Sequence, residues 1–262
     1  MNARRLANLM APFAVGAGAL AAWEAVVRLN AIPPYILPAP SLVAATLVGD
    51  RAVLFPSLLV TLQITFMALA AAVAGGVLLA VLFAQSRWIE RSFYPYAVIL
   101  QVTPIVAISP LILIYVENPH LALLICAWIV AFFPILSNTT LGLSSADHNL
   151  VDLFRLYGAT RWQALRYLRL PGAMPYFLGG LRIAGGLSLI GAVVAEFAAG
   201  TAGTGSGLAY RILESGYRLN IPRMFAALVL ISLAGIAIYL ALSLVQHLIL
   251  RRWHESAIGR EG

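Results

Sequence analysis

Apolar residues along this chain gather into six long runs, near Leu6–Leu29, Leu58–Ala84, Tyr94–Val116, Leu121–Leu141, Phe177–Ala199 and Met224–Leu250. A helix needs roughly 20 residues to cross a hydrocarbon core of about 30 Å, and the runs meet that length. Continuous runs of this kind, rather than amphipathic patches, predict an all-α integral membrane protein with about six transmembrane helices. Only Glu117–His120 separates the third and fourth runs, which predicts a tight helical hairpin. The opening MNARR and the run behind it resemble a signal peptide in layout. The run is long enough to span, and no small-residue cleavage site closes a short core, so it is expected to be a retained first helix.

The polar stretches differ in character. IPPYILPAPSLVAATLVGDRAVLFP opens on prolines that cannot continue a helix, and Ser41 is the expected N-cap of a short interfacial helix behind them. GTAGTGSGLAYRILESGYRLNIPR is glycine-rich and then amphipathic. Neither is long enough for a separate domain, and there is no internal repeat. The expectation is a single transmembrane domain over residues 1–262, with one polar insert at about 144–176.

Composition sharpens this. The chain is 61% hydrophobic and 10% charged, against roughly 25% charged in soluble domains. Its formal charge is +7, and every basic residue is arginine. With the N-terminus in the cytoplasm, Arg4, Arg5, Arg87, Arg91, Arg155, Arg161, Arg166, Arg169, Arg182, Arg251, Arg252 and Arg260 lie inside. Arg28, Arg51, Arg211, Arg218 and Arg223 lie outside. Twelve against five places both termini in the cytoplasm. The arginines flank apolar runs, so they are expected to hold loops at the lipid surface and not to bind nucleic acid. Cys126 is the one cysteine, inside an apolar run, and is expected to be a packed small hydrophobe. The four histidines are scattered and suggest no metal site.

The insert DLFRLYGATRWQALRYLRLPGAMP, from Asp152 to Pro175, carries the functional signal. Asp147 and Asn149 offer caps for a short helix at about Val151–Tyr157, which Gly158 ends in a left-handed conformation. Thr160 caps a second helix to about Leu168, closed by Leu170-Pro171. Leu153, Leu156 and Tyr157 share a face with no chain of the loop's own to cover it. Two outcomes fit: a solvated loop stapled to the membrane by Trp162, Tyr167 and the arginines, or a helix that inserts into a partner's groove.

The insert resembles the EAA loop of type I ABC-importer permeases. Asp152 stands at the Glu position of that pattern, and Leu153 and Phe154 replace the two alanines. Gly158, Leu168 and Leu170-Pro171 fall at the required spacing. ILPAPSLV, TPIVAISPLILI, GATRWQALRYLRLPGAMPYFLGGLR and VVAEF extend the resemblance over nearly the whole chain, toward permeases for nitrate, sulfonates, taurine, bicarbonate and pyrimidine precursors. The resemblance implies a permease subunit in a bacterial cytoplasmic membrane, paired with a second permease copy. It also implies two ATPase subunits that bind ATP and magnesium, and an extracytoplasmic solute-binding protein. It assigns ATPase docking and coupling to Asp152, Leu153, Phe154, Arg155, Leu156, Tyr157, Gly158, Ala159, Arg161, Leu170 and Pro171, with Asp152 bonding either to ATPase donors or to backbone at the helix N-terminus.

No ATP site is expected in this chain. GTAGTGSGL is glycine-rich, but a phosphate loop needs Gly-Lys-Ser/Thr and the chain has no lysine. Polar residues in the spans are the pathway candidates: Thr61, Gln63 and Thr65 in the second, Gln101, Thr103, Pro104 and Ser109 in the third. Pro104 and Pro110 there free carbonyls that must be satisfied or face a cavity. Bonds between helices are the plainer role for the same groups. Glu196 is the acid deepest in the fifth span, with a structural or gating role expected, through backbone amides of the glycine-rich segment or Arg211. Glu24 and Arg28, one turn apart, are expected to pair locally. The alternatives from other classes are an ion-coupled transporter or channel, which predicts buried acid–base relays, and an intramembrane enzyme, for which no catalytic constellation is present.

Overall fold

The computed structural model of the chain describes residues 3–200 and 205–251, with side chains from Met10 onward in the first helix. All regular structure among these residues is helical: α1 Ala3–Leu29, α2 Pro40–Gly49, α3 Arg51–Gln85, α4 Arg87–Val102, α5 Ile105–Tyr115, α6 Pro119–Ser144, α7 His148–Leu156, α8 Arg161–Ala164, α9 Leu170–Ala199, α10 Leu208–Tyr217 and α11 Ile221–Leu250. Five helical stretches are long and apolar enough to cross a membrane, within α1, α3, α6, α8–α9 and α11. The count is six if the α4–α5 pair is one span.

That pair corrects the expected third span. Tyr94–Val116 is not one helix: α4 and α5 meet at a bend of 100°. Pro104 lacks an N–H and disfavours helical geometry in the residue before it, so Thr103 is extended (φ −71°, ψ 123°) and Pro104 becomes the N-cap of α5. Ser41 is likewise not the cap of α2. Pro40 opens that helix behind an extended Ala39, and Ser41 lies within its first turn.

The described residues group into two compact units. One comprises the described parts of Met1–Leu59 and Ala202–Ser232. Its core packs Val43 of α2 and Leu54 of α3 with Leu208 and Ile212 of α10 and Ala226 and Leu230 of α11. Polar ties surround it. Arg223 Nε donates to Asp50 Oδ2 at 2.6 Å, and Arg211 donates to Glu214 at 2.8 Å and to Ser57 Oγ at 3.0 Å. Glu24 pairs with Arg28 as expected and also accepts from the Ser41 N–H and hydroxyl, which fastens α1 to α2.

The other unit comprises the described parts of Val60–Thr201 and Leu233–Gly262. Its centre is the pairing of α6 with α9, and small residues make the close approach possible. A Cβ on Gly180 would lie 2.7 Å from the Pro134 carbonyl oxygen, and one on Gly191 would lie 2.8 Å from Ala127 Cα. Phe83, Phe132, Ile135, Leu136, Leu143 and Leu165 fill the core around this contact. Tyr94 rests against Phe83 and Phe133 and holds α4 to it.

Candidate coupling and pathway sites

The insert is built largely by local chemistry. The Asp147 side chain caps α7, accepting from the Asn149 N–H at 2.8 Å. At the other end the Ala159 N–H reaches the Phe154 carbonyl and the Gly158 N–H reaches the Arg155 carbonyl, both at 2.9 Å. This is a Schellman closure, and it requires the left-handed φ of +69° that Gly158 adopts. Thr160 and Gln163 then form a capping box that starts α8. The chain thus turns between two short helices through an elbow at Gly158.

Two expectations fail here. α7 begins at His148, so Asp152 sits past its first turn and pairs with Arg155 at 3.1 Å, which removes the helix-N-terminus role and leaves the one toward ATPase donors. Leu170-Pro171 does not close a helix either. Residues Leu165–Arg169 form a π-turn in which the Leu170 N–H reaches the Leu165 carbonyl, and α9 follows directly. Pro171 falls in the first turn of α9, where it is tolerated.

Exposure divides the candidate residues of the insert. Leu156 and Tyr157 are 84% and 83% exposed, and Leu153, Asp152, Arg155 and Arg161 are also exposed. Phe154 and Ala159 are half-buried and turn back toward the end of α3, lining a cavity beside Gln85 and Arg87. Leu170 packs against the α6–α9 core.

The pathway candidates separate into groups. Thr61 and Glu196 come together, with the Thr61 hydroxyl donating to Glu196 Oε1 at 2.7 Å and both residues buried. Thr65 is buried and donates to the Thr61 carbonyl within its own helix at 2.7 Å. Ile64, Ala68, Ala127, Ala192 and Ala195 surround this level, and Ile105 and Ile112 of α5 pack against them. Gln63 is exposed and lines a cavity of about 360 Å³ with Asn118 and His120. Thr103 donates to the Ile99 carbonyl at 2.6 Å, so with Gln101 and Pro104 it marks the bend. Ser109 is buried in α5. The structure therefore gathers Thr61, Thr65 and Glu196, leaves Gln63 exposed and Thr103 at the bend, and buries Ser109 on the face of α5 that carries Ile105 and Ile112.

Arg182 lies within α9, with its guanidinium 5.6 Å from the centre of the Tyr239 ring. It is about 25 Å from the Ala199 end of the helix at 1.5 Å per residue. Among the described residues no cluster of His, Cys, Asp and Glu could hold a metal ion, and Cys126 is buried. The glycine-rich run from Thr201 to Thr204 and the RRWH anchor beyond Arg251 lie outside the described residues.

Apolar helices of spanning length enclose buried hydroxyl and carboxylate groups and carry a polar insert with an uncovered apolar face, an integral membrane architecture whose class is assigned by similarity to known proteins. The chain belongs to the family of binding-protein-dependent transport system inner membrane components, whose model matches residues 72–255. It is 32% identical over 236 residues to the riboflavin transport system permease protein RibX of Chloroflexus aurantiacus, covering 89% of this chain and 86% of that one. It is 32% identical over 229 residues to the formylaminopyrimidine transport permease protein ThiX of Halalkalibacterium halodurans, covering 87% and 90%. The fold matches the crystal structure of an amino acid ABC transporter with histidines at a TM-score of 0.63 and 20% identity, over 77% of this chain and 96% of that one. This chain is a permease subunit of an ABC importer for a small solute, a transport component and not an enzyme.

Proposed function

We propose that the chain is one half of a homodimeric permease in a bacterial inner membrane, a single transmembrane domain with both termini in the cytoplasm. α7 and the elbow at Gly158 seat on a separate ATPase chain, which binds ATP and magnesium, and an external solute-binding protein delivers the cargo. The observation that carries this is the face of Leu153, Leu156 and Tyr157, exposed on a helix that is capped at both ends. A rigid, preformed helix with an uncovered apolar face suits insertion into a partner's groove. Closure of the ATPase pair would move the elbow and reorient the spans.

The solute is a neutral nitrogen heterocycle rather than an anion. Two observations favour this. Both relatives named above are permeases for such compounds by name. The buried polar groups gathered between α3 and α9 are hydroxyls and a carboxylate, a poor environment for an anion.

Co-purification tests the partner. An ATPase subunit should accompany the wild type from its host membrane and be lost from Asp152→Arg/Gly158→Val. A chain that emerges without any ATPase would overturn the reading and leave ion-coupled transport to be tested. Uptake of labelled formylaminopyrimidine, riboflavin and taurine by energised proteoliposomes tests the solute, with transport of taurine alone counting against a heterocycle.

A further inference from the structure

Two adjoining cavities, of about 740 and 620 Å³, lie between the α3–α4 turn and the insert. Both are lined by Arg87, Arg155 and Arg169; Arg91 joins the larger and Arg161 the smaller. Only Glu90 and Asp152 oppose them as carboxylates, both in the larger cavity, and Asp152 is paired with Arg155. No carboxylate lines the smaller cavity, and four arginines, Arg87, Arg155, Arg161 and Arg169, are among its lining residues. Arg169 spends one N–H on the Ala84 carbonyl at 3.2 Å, which leaves most of its fork to the cavity.

We propose that this basic cavity binds a phosphate group, and that the phosphate is the headgroup of an anionic phospholipid. Arginine forks match phosphate oxygens in pairs, and of the four arginines lining the smaller cavity Arg155 is ion-paired, to Asp152, while no ion pair is seen for Arg87, Arg161 or Arg169 among the described residues. The cavity lies on the side of the insert toward the end of α3, lined by half-buried Val151 and Phe154. The face exposed for a protein partner, at Leu153, Leu156 and Tyr157, is the other one. Trp88 and Trp162, next in sequence to Arg87 and Arg161, are both exposed, as befits indoles at headgroup level. A basic pocket beside transmembrane helices on the cytoplasmic side is a known form of headgroup site. The choice of the cytoplasmic leaflet rests on the orientation proposed above; the phosphate chemistry does not.

The test uses the full chain with whatever subunit accompanies it, in nanodiscs of phosphatidylcholine with or without phosphatidylglycerol. Native mass spectrometry counts the lipid retained on release. Arg87→Gln/Arg161→Gln should hold phosphatidylglycerol roughly 30-fold more weakly, at about 1 kcal/mol per arginine, and Arg87→Lys/Arg161→Lys should recover part of the loss, showing that charge and not folding is at issue. Equal retention by wild type and the glutamine variant overturns the proposal. If inorganic phosphate binds the wild type in phosphatidylcholine and phosphatidylglycerol does not, the ligand is a free anion and the lipid assignment fails. If the glutamine variant loses the ATPase with lipid retention unchanged, the arginines belong to the protein interface and the proposal fails. Absence of an ATPase from every sample would sink the coupling role while leaving the lipid count readable.

Discussion

The Thr61 hydroxyl donates to Glu196 Oε1 at 2.7 Å across 135 residues of sequence, with both side chains buried. A buried carboxylate is tolerated only when hydrogen-bonded, so this contact makes the meeting of α3 and α9 specific. Thr61→Val keeps the shape and removes the donor. It should cost about 1–3 kcal/mol, and Thr61→Ser should recover most of that, both read from denaturation in mild detergent. A valine variant as stable as wild type would mean that the bond contributes nothing.

Gly158 holds φ at +69° with nothing within 4 Å of where a Cβ would stand. The penalty for a side chain is therefore conformational and not steric. Gly158→Val should cost about 1–3 kcal/mol locally and abolish ATP-coupled uptake while membrane insertion is preserved. Gly158→Asn, which visits the left-handed region readily, should keep much of the activity. Uptake and the fraction inserted are measured on the same vesicles, and normal uptake by the valine variant would end the coupling assignment.

Glycines of α9 differ by face. Gly180→Ala and Gly191→Ala drive a methyl to within 2.8 Å of α6 and should destabilise by about 1–3 kcal/mol. Gly179→Ala and Gly186→Ala meet nothing within 4 Å in this chain and should be neutral or stabilising by up to about 1 kcal/mol through helix propensity. Thermal unfolding of the four variants in detergent checks the contrast. A loss of dimer without loss of stability in the second pair would show that their open face meets the second copy.

Glu214 titrates below the ordinary carboxylate value of 4.5, chiefly because Arg211 donates to it, and the charges of Arg211, Arg218 and Arg223 add to this against the cost of burial. The unfolded chain therefore takes up this proton at a higher pH than the folded one. Its contribution is fully present at neutral pH, begins to fall as pH drops through the unfolded value and is gone below the folded value. Glu214→Gln should be less stable than wild type at pH 7 and should flatten the acid limb of the stability profile. Parallel acid limbs in the two proteins would refute the pairing.

The insert was legible because its signals are local. Asp147, Gly158 and Thr160 act on backbone groups a few residues away, so the two helices and the left-handed elbow could be read from the chain. Asp152 was misplaced because one added turn at the start of α7 moves it out of the first turn. The continuation through Pro171 was missed because the π-turn before it has no composition of its own. The arginine cavity joins Arg87 to residues 155–169, and no local pattern links them.

The sequence by itself determined that the chain spans a membrane, where its apolar runs fall and which insert is polar. The physical reason is that lipid offers no partner for backbone groups, so a long apolar run has little choice but to be a helix. The tertiary structure alone decided the bond from Thr61 to Glu196 and the gathering of arginines from distant segments around one cavity. Those depend on which helix faces meet, and that is settled by close packing at Gly180 and Gly191 between segments far apart in the chain.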